Sequence, residues 1–206
     1  MLTFAVPKGR MLEQTTRCLS EAGWSIPDFD PDQRELIFYD NDRNFKFVLV
    51  KPYDVPTYVE YGAAELGVAG KDIIEEREAN VYELLDLKFS RCRVSVARPE
   101  ETPPGAVKSR VATEFVNLTK KYFSSRGENV EVIKLHGSVE LAPLLDLAGR
   151  IVDIVSSGRT LKRNNLVEEE VILESSARLI ANRPALKLHQ DEIKEKIKRL
   201  KGVLEQ

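Results

Sequence analysis

Ile151-Val152-Asp153-Ile154-Val155-Ser156-Ser157-Gly158-Arg159-Thr160-Leu161 joins an apolar run of strand length to small hydroxyl-bearing residues around a glycine. The first five residues read as a buried strand. The six residues after them are chemically suited to a phosphate. Backbone N–H groups can approach closely at Gly158, Ser156, Ser157 and Thr160 carry hydroxyl donors, and a helical start follows whose dipole favours an anion. Asp153, on the strand, is placed to accept hydrogen bonds from a sugar hydroxyl or to help position a magnesium-bound ligand. Ser-Ser-Gly also occurs in plain turns, so this stretch by itself leaves both readings open.

On either side, short apolar runs alternate with helical periodicities. In the second half of the chain, Arg93 to Ala97, Ser109 to Thr113 and Val130 to Leu135 read as strands. Asn117 to Ser125 and Val139 to Leu147 read as helices, and Pro99 to Gly105 as a Pro-rich loop. In the first half, Leu2 to Val6 is a strand that runs into Pro7-Lys8-Gly9-Arg10. A helix succeeds it, with Met11, Leu12, Cys18, Leu19 and Ala22 on one face and Gly23 as its stop. Arg34 to Tyr39 and Phe45 to Val50 are strands joined by the polar turn 40–44. A helix over Val55 to Gly62, a strand over Leu66 to Ala69 and a turn Gly70-Lys71-Asp72 into a further helix complete this half. Alternation of this kind predicts a largely parallel α/β architecture with ligands at the C-terminal ends of the strands. Ile193, Ile197, Leu200 and Leu204 predict a tail helix packed on the body.

Three more strand-to-helix turns carry candidate chemistry. Lys8 and Arg10 flank a glycine at a helix N-terminus, where cations oppose the dipole unless an anion sits there. In Leu135-His136-Gly137-Ser138-Val139-Glu140-Leu141-Ala142-Pro143, Glu140 is either a first-turn dipole partner or a carboxylate near a sugar or metal. Asp72 is either a helix cap or a group of the site. No nucleophile is accompanied by an orienting base, so His136 is assigned no catalytic role.

Bulk properties bound the rest. Of 206 residues, 42% are hydrophobic and 31% charged, with a formal net charge of -2, which suits a globular chain with a real core. Nothing in that balance calls for nucleic acid or an anionic membrane as a partner. Apolar stretches are interrupted well short of the roughly 20 residues of a membrane span. The first ten residues lack a basic leader with an apolar core, so a cytoplasmic location is expected. Cys18 and Cys92 are read as small core residues, and two histidines are too few for a histidine-based metal site.

Five segments in order resemble the catalytic subunit of the ATP phosphoribosyltransferase family. They are Ala5 to Arg10, Glu65 to Asp72, Val116 to Phe123, Gly137 to Pro143 and Asp153 to Leu161. The departures are small: Val6 or Met11 stands where the family commonly has Leu, and His136 where Asn is frequent. The resemblance implies transfer of a phosphoribosyl group from phosphoribosyl pyrophosphate (PRPP) to N1 of ATP, the first step of histidine biosynthesis, with pyrophosphate released. It implies a two-lobed fold like that of type II periplasmic binding proteins, the chain crossing between α/β lobes and returning. The lobes are expected at 1–88 plus 177–206, and at 89–176. Ser156, Ser157, Gly158, Arg159, Thr160 and Leu161 are then expected to bind PRPP with Asp153 and Glu140. Lys8, Arg10 and Arg34 are expected near the leaving pyrophosphate, and Asp72 on the ATP side or in the cleft. Magnesium is expected bound to substrate, with no protein ligand assigned. Because the chain ends at Gln206, the short form is expected. That form is a homodimer within a hetero-oligomer containing a histidyl-tRNA-synthetase-like regulatory subunit.

Overall fold

A computed structural model of the chain describes residues 1–27, 29, 35–103 and 109–205. The chain divides into two compact units, Met1–Ser90 with Ser176–Gln206, and Arg91–Ser175.

The first unit opens with β1 (Leu2–Pro7), α1 (Arg10–Glu21), β2 (Ile37–Tyr39) and β3 (Phe45–Val50). A short 3₁₀ turn leads to α2 (Val55–Glu60), β4 (Leu66–Gly70), α3 (Lys71–Arg77) and β5 (Tyr82–Asp86). The second unit holds β6 (Cys92–Pro99), β7 (Arg110–Thr113), α4 (Val116–Ser125), β8 (Glu131–Lys134), α5 (Leu141–Leu144), β9 (Arg150–Val155), α6 (Arg159–Arg163) and β10 (Leu166–Ser175). The chain then returns to the first unit as β11 (Ala177–Ala181), α7 (Arg183–Leu188) and α8 (Gln190–Leu204). No helix is long and apolar enough to cross a membrane among the described residues.

The first sheet runs β2-β3-β1-β4-β11-β5 and the second β10-β6-β9-β7-β8. All of β1 is buried, and its alternation divides it between two cores. Leu2, Phe4 and Val6 face α1 and α8 with Cys18, Leu19, Trp24, Ile193 and Leu200. Ala5 faces Val55 and Val59 of α2 and Ile74 of α3. Phe4 meets Trp24 edge-on at 5.3 Å between ring centroids, a favoured aromatic geometry. In the second unit, Ile151 and Val155 pack with Ala97, Ala112, Val139 and Leu161.

The structure departs from the sequence expectation in four places. β1 is parallel to β3 and β4, and β7 to β8 and β9, but the other pairings are antiparallel. Both sheets are therefore mixed: β2 runs antiparallel to β3, β11 to β4 and β5, and β6 to β9 and β10. The helix expected over Val139 to Leu147 shrinks to the four residues of α5. Pro143 lies within its first turn, and beyond Leu144 Asp146 takes a positive φ of 58° as the N–H groups of Leu147 and Ala148 turn back to the Ala142 carbonyl. Cys92 is only half-buried, whereas Cys18 is buried, its thiol pushed up by burial and by Glu21. The strand expected to start at Arg34 begins at Ile37 among the described residues, and 104–108 of the Pro-rich stretch lie outside them.

Candidate active site

Three parallel strands of the second unit, β7, β8 and β9, end on the same side. Their C-terminal ends deliver Glu114, the turn His136 to Glu140, and the loop Ser156 to Gly158. The β9 loop is the most developed. Gly158 takes a left-handed conformation (φ 72°, ψ 0°) and stands at the N-cap of α6, where no side chain caps the first turn. A residue with a Cβ would be strained there, and the leading N–H groups of α6 lack intrahelical acceptors. Ser156, Ser157, Arg159 and Thr160 are exposed, and Arg159 Nε donates to Ser157 Oγ at 3.2 Å. Leu161 is different: its side chain is buried against Val155 and Ile151. It anchors the loop to the core, and only its backbone remains for a ligand.

Asp153 is half-buried, and its Oδ1 accepts the Ile154 N–H at 2.7 Å. Burial, and then the charges of Glu140 and Glu114, push its carboxyl up to about 6 against a pull-down from the Ile154 hydrogen bond. Glu140 is thus within electrostatic reach of Asp153. It stands at the N-cap of α5 without a capping hydrogen bond, and a four-residue helix offers little dipole to compensate. Glu114 is absent from the sequence expectation; it comes directly after β7, which is the signal that could have found it.

In the first unit, β1 and β4 lie side by side in parallel. Lys8 to Arg10 come after the end of β1, and Lys71 and Asp72 after the end of β4. Gly9 has φ 77° and ψ -142° and forms the uncapped N-cap of α1. The Lys8 N–H is tied to Val50 O at 2.8 Å, so the turn is fixed while Arg10 is exposed. Among the described residues no ion pair engages Lys8 or Arg10, while Glu13 in the first turn of α1 is held by Arg17. Lys71, by contrast, is bound to Glu75 and Glu83. Asp72 is buried in the first turn of α3, whose N-cap is Gly70. It is therefore not the cap; its carboxylate lies over Gly70, where a side chain at that residue would collide with it. Arg34 lies outside the described residues.

Sequence reasoning also missed Arg93. From β6 it reaches the β9 loop, donating from Nη1 to the Ser156 carbonyl at 3.4 Å.

The protein is 48% identical over 204 residues to the ATP phosphoribosyltransferase of Bacillus licheniformis, covering 99% of this chain and 96% of that one. The solved ATP phosphoribosyl transferase (HisG:HisZ) complex from Thermotoga maritima aligns with a TM-score of 0.86 at 32% identity, over 100% of this chain and 99% of that chain. A probable amino-acid ABC transporter extracellular-binding protein from Bacillus subtilis aligns at 0.56 with 10% identity, over 99% and 91% of the chains. That likeness concerns fold alone, and it is the two-lobed fold of type II periplasmic binding proteins. The family model for ATP phosphoribosyltransferase matches residues 51–202. The chain therefore belongs to the ATP phosphoribosyltransferase family, enzymes that catalyse the first step of histidine biosynthesis.

Proposed function

We propose that the Ser156 to Thr160 loop receives the 5-phosphate of magnesium-bound PRPP, and that Lys8 and Arg10, with Arg34, stabilise the pyrophosphate as it leaves. The observation that carries this reading is the β9 loop: exposed hydroxyls, a left-handed glycine and an uncapped helix start at the end of a parallel strand. A dianionic phosphate is the group such donors suit. Asp153 and Glu140 are assigned to the ribose hydroxyls, and Asp72 to the ATP side. Magnesium is carried by the substrate phosphates, as is usual for this ion. The crowding of Asp153, Glu140 and Glu114 suits a cation arriving with them.

Substitution at the anomeric carbon passes through a cationic, oxocarbenium-like state, and N1 of adenine brings its own lone pair. No protein nucleophile is needed. The C1–O bond to pyrophosphate breaks, the C1–N1 bond forms, and the electron pair leaves with the pyrophosphate. Alignment of two bound substrates and cationic stabilisation of the leaving group supply the catalysis.

The assembly is proposed as the short form, a cytoplasmic homodimer joined by a histidyl-tRNA-synthetase-like regulatory subunit. Support comes from the Bacillus licheniformis relative, 96% of whose length this chain covers, and from the Thermotoga neighbour, which is itself a complex.

The test is calorimetry of magnesium-PRPP on the wild-type chain and on Thr160→Val, and then turnover with ATP, PRPP, magnesium and the regulatory subunit. Loss of about tenfold in PRPP affinity with ATP affinity unchanged is expected for removing one hydrogen bond to a charged group. Unchanged PRPP affinity would remove the loop from the site.

A further inference from the structure

We propose that Arg93 is a positioning residue for the Ser156 to Thr160 loop, fixing through the Ser156 carbonyl the direction of the N–H that meets the phosphate. The inference rests on the reading of that loop as the phosphate site.

Arg93 lies on β6 opposite Val155, the last residue of β9. Its guanidinium is held at three points. Nε and Nη2 grip both oxygens of Glu168 at 2.6 and 2.7 Å, and Nη1 makes a longer hydrogen bond of 3.4 Å to the Ser156 carbonyl. Glu168 is itself fixed, accepting the Ser95 hydroxyl at 2.6 Å. Arg93 first, and Ser95 with it, hold the Glu168 carboxyl below its ordinary value against the opposing effect of burial. A guanidinium is planar and rigid, so a two-toothed grip on a carboxylate also aims its third arm. Here that arm points at the loop.

Peptide geometry carries the effect onward. The Ser156 carbonyl and the Ser157 N–H belong to one planar, trans unit and point in opposite directions. Holding the carbonyl toward Arg93 turns the Ser157 N–H away from it. Two residues beyond Ser156, Gly158 adopts its left-handed conformation, and successive N–H groups in such a turn form a concavity for anions. The charge of Arg93 is already balanced by Glu168, so its contribution is orientation rather than attraction.

That distinction sets the experiment. Arg93→Lys keeps the charge and the ion pair but loses the planar fork. Magnesium-PRPP binding to the whole protein, measured by calorimetry, is expected to weaken about tenfold, with the PRPP KM rising to match, the ATP KM within about twofold, and kcat little changed. If Arg93→Lys does not fold, Ser95→Ala, which removes the hydroxyl that holds Glu168 and changes no charge, is expected to show the same split. Unchanged PRPP affinity, or equal changes in both KM values, would overturn the proposal. If the wild-type protein does not bind magnesium-PRPP at all, the reading of the loop itself fails, and this inference falls with it.

Discussion

The β1–α1 turn of the first unit and the β9–α6 loop of the second are built alike and armed differently. Each comes after a parallel strand, places a positive-φ glycine at the N-cap (77° at Gly9, 72° at Gly158) and lacks a side-chain cap. Around Gly158 stand the hydroxyls of Ser156, Ser157 and Thr160 and one cation, Arg159, turned onto Ser157 Oγ, while the adjacent Arg93 is neutralised by Glu168. Around Gly9 stand Lys8 and Arg10, with no ion pair among the described residues. The helices differ too, with twelve residues in α1 and five in α6. Oriented hydroxyl and N–H donors suit a phosphate that stays bound throughout the reaction. Uncompensated cations suit charge that develops as a bond breaks, because only interactions stronger in the transition state raise kcat. Under the proposed function, similar backbone turns would serve ground-state binding in one unit and transition-state stabilisation in the other.

The largest effect that could break this comparison is at Arg10. In Arg10→Ala, kcat is expected to fall about 10²- to 10³-fold, the loss typical of one preorganised charge-stabilising group, with the KM for ATP within about twofold. Steady-state kinetics in both substrates checks it. Equal losses in turnover and ATP affinity would give the β1 turn the same role as the β9 loop and erase the contrast.

Asp153 comes next, and it sharpens the cost of building the second unit's site. Its folded-state carboxyl is raised to about 6, above the unfolded value, so the protonated form is favoured by folding. The stabilising contribution is complete below about pH 4 and is lost as pH rises through about 6. Asp153→Asn, which has no charge to bury, should therefore match the wild type near pH 4 and exceed it increasingly up to about pH 7, by at most about 3 kcal/mol. Denaturant unfolding at several pH values reads this directly. The same variant is expected to bind PRPP less well, a trade of activity for stability. A stability difference independent of pH would show that Asp153 is not strained by burial and by its acidic neighbours.

The two regions are not equally legible in the sequence. Ser156-Ser157-Gly158 and Lys8-Gly9-Arg10 can be read because strand, turn and helix start are contiguous. The grouping of Asp153 with Glu140 and Glu114 cannot, since it depends on β9, β7 and the turn after β8 ending side by side. β10 escapes the sequence reading for a chemical reason. Its Glu168-Glu169-Glu170 run breaks the apolar alternation of a strand, yet each glutamate is paired with an arginine from elsewhere: Arg93, Arg98 and Arg126. It lies at the sheet edge, where charge guards against further pairing. Arg93 is hidden in the sequence for a related reason, because its partners are 75 residues away at Glu168 and 63 away at Ser156. Asn182 shows a local signal that the sequence does carry. It caps α7 by accepting the Ala185 N–H at 2.8 Å, directly ahead of Arg183-Pro184, which is a common N-terminal pattern.

The smallest effect tests whether the two glycines are equivalent. A Cβ at Gly9 or Gly158 would meet no atom within 4 Å, so an alanine at either reports backbone strain free of collision. The ψ angles differ. Gly158, at ψ 0°, lies in a left-handed region that asparagine also visits. Gly9, at ψ -142°, lies near a region essentially reserved for glycine. Gly158→Ala is expected to cost about 1 kcal/mol, with Gly158→Asn recovering part of it, and Gly9→Ala about 1–3 kcal/mol with no such recovery by asparagine. Denaturant unfolding of the four variants decides between outcomes. Matching costs and matching recovery would make the turns interchangeable backbone devices, and the contrast between the units would then rest on side chains alone. The expected asymmetry would instead locate part of it in the chain path, with the β9 loop the more tolerant because its turn needs only one residue in a left-handed conformation that asparagine also visits.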